Sequence, residues 1–152
     1  MSRVWRPNVT VAAVIERNGR FLIVEEEVSE GVRLNQPAGH LEPGESLIDA
    51  VRRETLEETA YLFEPVALVG IYQWRRPKDD VTYLRFTFSG HILGEGPVAG
   101  AQLDSGIVRA LWLSADELGE SVARHRSPLI MRSLQDWQAG KRFGLDVFAD
   151  GN

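Results

Sequence analysis

Apolar positions recur along this chain with two different periods. From Asn8 to Ile15 β-branched residues alternate and cluster (Val9, Thr10, Val11, Val14, Ile15), and Arg20 to Glu26 holds Phe21, Leu22, Ile23 and Val24. Between them, Arg17-Asn18-Gly19 carries the Asn-Gly pair that permits positive φ in a tight turn, so the two runs predict an antiparallel hairpin. The period then changes. Leu47, Ile48, Val51 and Thr55 form an apolar stripe at helical spacing, preceded by Ser46 with Asp49 three residues on, a capping pattern; a helix is expected from about Leu47 to Thr59. Leu34 to Leu41, polar and broken by Pro37 and Gly39, is expected as a loop or short strand feeding that helix, closed by Pro43-Gly44.

Beyond the helix the period of two returns. Pro65 to Gln73 and Val81 to Ile92 are rich in β-branched and aromatic residues and flank a polar turn at Arg75 to Asp80. Gly94 to Gly106 predicts a flexible connection, Val108 to Leu113 another strand, and Ser114 an N-cap for a short helix over Ala115 to Leu118. Leu129 to Ala139 predicts the last helix, stopped by Gly140. A mixed sheet with helices on its faces, an α/β (α+β) class, is the economical arrangement.

Composition narrows what such a fold can do. At 152 residues, 43% apolar and 26% charged, the chain fits a single domain spanning 1–152, since a domain of this length buries roughly 70% of the surface its unfolded chain exposes. No apolar run approaches the ~18 residues of a membrane span, and the opening MSRVWRPN leads into no secretory apolar region, so a soluble, cytoplasmic protein is expected. The absence of cysteine excludes disulfides, thiolate metal sites and thiol nucleophiles, leaving carboxylates as metal ligands. A net charge of -5, with no basic run interleaved with aromatics, argues against a broad grip on nucleic acid. It leaves room for a small anionic substrate, because a divalent ion and a few arginines can reverse the sign of a local site. Monomer and homodimer both stay open, as the apolar stretches serve either core or interface. Glu25-Glu26-Glu27 is read as a solvated strand end rather than a metal site.

The densest chemistry lies between Gly39 and Tyr61. On a helix Glu54, Glu57 and Glu58 fall within one sector. Left bare, each pair of charges about 5 Å apart at an effective dielectric near 20 repels by roughly 3 kcal/mol, which a bound divalent ion turns into attraction. Oxygen-only ligands suit Mg²⁺ or Mn²⁺. The competing reading is a solvated glutamate face, whose repulsion a helix tolerates at about 0.2 to 0.5 kcal/mol per pair.

Further residues stand at fixed intervals around these three. Gly39, Glu45, Arg53, Glu54, Glu57 and Glu58 follow the spacing Gly-x5-Glu-x7-Arg-Glu-x-x-Glu-Glu, which closely resembles the signature box of the Nudix family, Mg²⁺-dependent hydrolases of phosphoanhydride bonds. The resemblance implies an α/β/α sandwich. It also implies Glu57 and Glu58 as direct metal ligands, Glu54 as a third ligand or the group that activates water, and Gly39 as a carbonyl ligand whose missing Cβ permits close approach. Arg53 and Glu45 would orient the carboxylates; a surface salt bridge is the alternative for that pair. Two positions depart from the pattern. Thr55 replaces an aliphatic residue, and Ala60-Tyr61 replaces a Gly-aliphatic pair, so the helix must end without the glycine that takes positive φ easily.

A second layer of resemblance covers most of the chain: Val9 to Ala12, Asn35 to Glu42, Gln73-Trp74, Leu84 to Phe86, Asp104-Ser105, Trp112 to Ala115 and Arg126 to Leu129. It is similar to a branch of the family that removes terminal phosphate from nucleoside tri- and diphosphates and from thiamin-pathway pyrophosphates, with inorganic phosphate as product. On that reading Trp74 is a candidate to stack on a planar base, and Arg85 or Arg126 to grip phosphate. Asp104 would add a ligand or base, and Gln36 a hydrogen bond to base or phosphate. The competing readings are a rim or core aromatic, solvated charges, and an amide that satisfies its own loop. His40, beside Gly39, is read as structural, since a metal activates water without it. The alternatives at the level of function are another Nudix specificity, releasing pyrophosphate or paired monophosphates, and a non-catalytic Nudix fold that binds nucleotides or protein.

Overall fold

The computed structural model describes residues 3–151; Met1 and Ser2, which begin the MSRVWRPN opening, and Asn152 lie outside the described residues. The hairpin forms as the periodicity predicts, with β1 (Asn8–Arg17) and β2 (Arg20–Val28) joined through Asn18 and Gly19, both at positive φ. Two short strands follow, β3 (Gly31–Asn35) and β4 (Ala38–His40), then α1 (Leu47–Thr59). The long strands β5 (Leu62–Arg76) and β6 (Val81–Leu93) pair antiparallel, and β7 (Ile107–Ser114) runs into α2 (Ala115–Glu120). A 3-10 turn, α3 (Leu129–Gln138), the two-residue β8 (Phe143–Gly144) and a second 3-10 turn complete the chain. β3 and β8 go beyond the sequence expectation. Gly31 separates β3 from a charged stretch that carries no clear alternation, and β8 is too short to show a period.

The sheet is mixed, in the order β3-β2-β1-β6-β5-β8, with β4 added to β1 and β7 to β2; β1 and β6 are parallel neighbours. Central β1 is buried on both faces, which is why Val11 to Ile15 reads as one continuous apolar run. One core packs Val11, Ala13 and Ile15 against Ala50 and Val51 of α1, with Phe63, Leu68 and Phe88 alongside. The other packs Val14, Phe21 and Ile23 against Leu118 and Leu134 of α2 and α3. Alternation along one strand thus feeds two layers, the α/β/α arrangement.

The boundaries of α1 match their capping chemistry. Ser46 Oγ accepts from the Asp49 amide at 3.0 Å. At the far end Ala60 adopts the left-handed region (φ 63°, ψ 9°), donating to Leu56 O at 2.9 Å. Alanine therefore takes the conformation for which glycine is usual, at a cost of about 1 kcal/mol. Loop atoms tie the exit down: the Val98 amide reaches Ala60 O at 2.7 Å.

Candidate active site

Three elements bring the carboxylates together. Along α1, the helical period turns Glu54 and Glu58 inward, both buried, and leaves Glu57 at the rim. The connection before β7 folds back onto the same helix, and its Asp104 amide donates to Glu57 O at 2.9 Å. Carboxylate oxygens of Glu54, Glu57 and Asp104 consequently lie within 4.8 Å of one another. Strand β4 closes the third side. A Cβ built on Gly39 would lie 2.1 to 2.3 Å from the Glu54 carboxyl group, so only glycine fits.

Arg53 ties this acidic group together. Its Nε and Nη2 donate to the two Glu45 oxygens at 3.0 and 2.7 Å, Nη1 to Glu54 at 2.8 Å and Glu57 at 3.2 Å, and Nη2 also to His40 O at 3.0 Å. Hydrogen bonding from Arg53 lowers the Glu45 pKa. Glu54 and Glu57 move the other way: desolvation raises both, more than Arg53 lowers them. Glu58 rises furthest, to about 9, because burial outweighs the hydrogen bond its Oε1 accepts from the Ala38 amide at 2.8 Å. Crowded, desolvated carboxylates with hard oxygen donors fit a divalent cation. The set that forms the tight group is Glu54, Glu57 and Asp104, with Glu58 beside it on the cavity wall.

These residues line a cavity of about 470 Å³. At its mouth Trp74 stacks on Tyr83, centroids 6.0 Å apart and planes 23° from parallel. On the inner side the expectations need correction. Arg85 lines the cavity but is not a solvated side chain: it is buried, at 7% exposure, and donates from Nη2 to Gln36 Oε1 at 2.9 Å and Asn35 Oδ1 at 3.4 Å. Desolvation lowers its pKa to about 10. Arg126 is paired with Glu26 at 2.7 Å. Gln36 does not line the cavity; its amide nitrogen donates to Ser133 Oγ at 2.9 Å and Ile130 O at 3.3 Å, anchoring α3 and Arg85 together.

The acidic run on β2 is likewise not a solvated end. Glu25 is held by Arg109 through two 3.2 Å contacts, chiefly responsible for its lowered pKa, and Glu26 turns to the opposite face and into the cavity wall. Three consecutive glutamates on a strand cannot share one face, so the alternation itself carried the signal. Tyr83, Glu26, Asn35 and Arg76 were not anticipated from sequence as cavity residues. They sit on separate strands, and no spacing links them.

This fold and this site define a known class. The NUDIX domain model matches residues 4–134, and the chain belongs to the Nudix family; it is a hydrolase acting on phosphoanhydrides of small nucleotide or pyrophosphate substrates. Hydrolases of this family generally use divalent metals, in keeping with the acidic cluster. Among individual relatives, it is 38% identical over 149 residues to Phosphatase NudJ of Escherichia coli K12, covering 98% of this chain and 95% of that one. It is 51% identical to a NUDIX hydrolase from Nitrosomonas europaea, with a TM-score of 0.91 over 97% of this chain and all of that one. A UDP-X diphosphatase structure shares the fold at 20% identity, with a TM-score of 0.73, over 94% of this chain and 68% of that one.

Proposed function

We propose that this chain is a Mg²⁺-dependent phosphatase that releases inorganic phosphate from nucleoside tri- and diphosphates and from thiamin-pathway pyrophosphates. The observation that carries this reading is the convergence of Glu54, Glu57 and Asp104 around the Gly39 backbone, with Arg53 braced behind them. Likeness to Phosphatase NudJ over almost the whole chain supports the product. Glu54, Glu57, Asp104 and the Gly39 carbonyl would hold the cation, and Glu58 would complete the set from the wall. Bound there, Mg²⁺ would offset charge developing on the phosphate oxygens and lower the pKa of an attacking water.

The chain's own groups do the rest. Arg53 and Glu45 orient Glu54 and Glu57. Glu54 or Asp104 accepts the proton of the attacking water, and the Trp74 and Tyr83 rings receive the planar part of the substrate. The reading places the protein in the cytoplasm, where such nucleotides are made.

The test is an assay of purified protein with CTP, CDP, GTP, ADP-ribose and thiamin pyrophosphate, with and without Mg²⁺, resolving phosphate from pyrophosphate. Mg²⁺-dependent phosphate release, lowered roughly 10²–10³-fold by Glu57→Gln, is expected. Pyrophosphate or AMP as product moves the protein to another branch of the family. Unchanged activity in Glu57→Gln removes the proposed metal site.

A further inference from the structure

The connection from β6 to β7, residues 94–106, is held to the body of the protein by few contacts. Its residues are exposed apart from the half-buried Pro97 and Leu103, and Gly94, Gly100 and Gly106 take positive φ. Among the described residues three long-range backbone hydrogen bonds tie it down. The Val98 amide donates to Ala60 O at 2.7 Å, the Asp104 amide to Glu57 O at 2.9 Å, and the Glu27 amide to Gly106 O at 2.8 Å. A segment that buries so little apolar surface opens locally at small free-energy cost. Two of the three ties land on α1. A helix leaves its last carbonyls without partners of its own, and here amides some 40 residues further along the chain take two of them.

This seating decides where the third carboxylate of the acidic group stands. Glu57 takes part twice, its side chain as a member of the group and its carbonyl as the acceptor that holds the Asp104 backbone. Asp104 is exposed, and among the described residues no hydrogen bond or ion pair fixes its carboxylate, so its placement follows from the backbone ties. With the segment lifted, α1 keeps Glu54 and Glu57 and loses Asp104. Bare, the three like charges within 4.8 Å of one another push the segment away from α1; a divalent cation reverses that sign. Binding and seating therefore strengthen each other, and by linkage each raises the other equally.

We propose that residues 94–106 form a strap whose seating on α1 is coupled to the cation, and that the Val98 amide is a positioning group that delivers Asp104 to it, a reading that rests on the cavity being the metal-dependent site described above. Val98 is 40% exposed and does not line the cavity, so its amide acts through Asp104 and not on the substrate. Its acceptor is the carbonyl of Ala60, the residue whose left-handed conformation ends α1. The metal helix and the strap are thus joined at the helix exit and again at Glu57, on either side of the turn that leads Asp104 into β7.

Hydrogen exchange of the full chain with and without Mg²⁺ gives a test that needs no substrate. Mg²⁺ is expected to slow exchange of the Val98 and Asp104 amides by about ten-fold or more, within the usual range of coupling between sites, and Asp104→Asn to abolish the slowing at Val98. Val98→Pro removes the donor at an exposed position. The Mg²⁺ concentration that half-saturates CTP turnover should then rise about ten-fold, the scale of one backbone hydrogen bond, with a smaller change in kcat at saturating Mg²⁺. Placed in the Asp104→Asn background, Val98→Pro should raise that concentration no further. An unchanged Mg²⁺ requirement in Val98→Pro, the same rise in both backgrounds, or exchange at Val98 indifferent to Mg²⁺ overturns the strap and leaves the hydrolase reading standing. If Mg²⁺ alters exchange nowhere on α1 and supports no turnover, the metal-dependent reading fails and the strap with it. Should Val98→Pro fold poorly, the exchange measurements on wild type and Asp104→Asn decide the matter alone.

Discussion

The two ends of the cavity use arginine in opposite ways. At the acidic end Arg53 spends its guanidinium on Glu45, Glu54, Glu57 and the His40 carbonyl. At the other end Arg85, more deeply buried, bonds two neutral side-chain amides from one nitrogen, and its Nε has no partner among the described residues. Arg53 holds carboxylates in place, whereas Arg85 braces the inner wall through Asn35 and Gln36. The acidic end is thus built to position carboxylates, and the Arg85 end to tie β6 to the loop before β4 and, through Gln36, to α3.

The largest expected effect falls on the acidic end. Gly39→Ala places a Cβ where the Glu54 carboxyl sits, so Glu54 must leave its position; kcat should fall roughly 10²–10³-fold, as for loss of one group stabilising the transition state. The fall should be equal for CTP, UTP and tripolyphosphate, and a selective fall would blur the distinction between the two ends. Arg53→Lys keeps the charge but loses the fork that spans Glu45, Glu54 and Glu57, and steady-state kinetics should show a loss of roughly 10 to 100-fold, again without base preference.

A third effect is a pH dependence of stability in the metal-free protein. Glu54, Glu57 and Glu58 all sit above the usual value of 4.5, Glu58 at about 9. The native state then holds protons that the unfolded chain releases. The contribution is fully present below pH about 4.5 and lost as pH rises through about 9. Calorimetry after chelation should show Tm falling across that window, and saturating Mg²⁺ should flatten the slope. A Tm that rises with pH there would contradict the desolvated cluster. The smallest effect serves as a control. Thr55 is fully buried in α1 and its hydroxyl has no partner among the described residues. Thr55→Val should raise stability by about 1 kcal/mol, a Tm gain of roughly 2–4 °C, while leaving the CTP to UTP ratio alone.

How much of this was legible follows from how far apart the contributing residues lie in the chain. α1 was readable because its signals are local: a capping serine and a period of 3.6. The acidic end was readable for the same reason, since one helix carries Glu54, Glu57 and Glu58 and fixes their mutual spacing before any tertiary contact forms. Ala60 marks the limit of such reading. Its side chain argued against the left-handed exit, and the tie from Val98 to its carbonyl accompanies that conformation in the folded chain.

The Arg85 end could not be read in this way. Glu26, Asn35, Arg85 and Arg126 come from β2, β3, β6 and the segment before α3, joined only through strand register and the docking of α3 by Gln36. By itself, the sequence determined the helix, the hairpin, the alternation of the strands and the carboxylate spacing, all products of local conformational preference and side-chain periodicity. Tertiary structure alone decided which charges are buried, which carboxylates Arg53 gathers and which partners hold Arg85. Burial and pairing depend on neighbours distant in the chain, and an isolated segment contains no record of them.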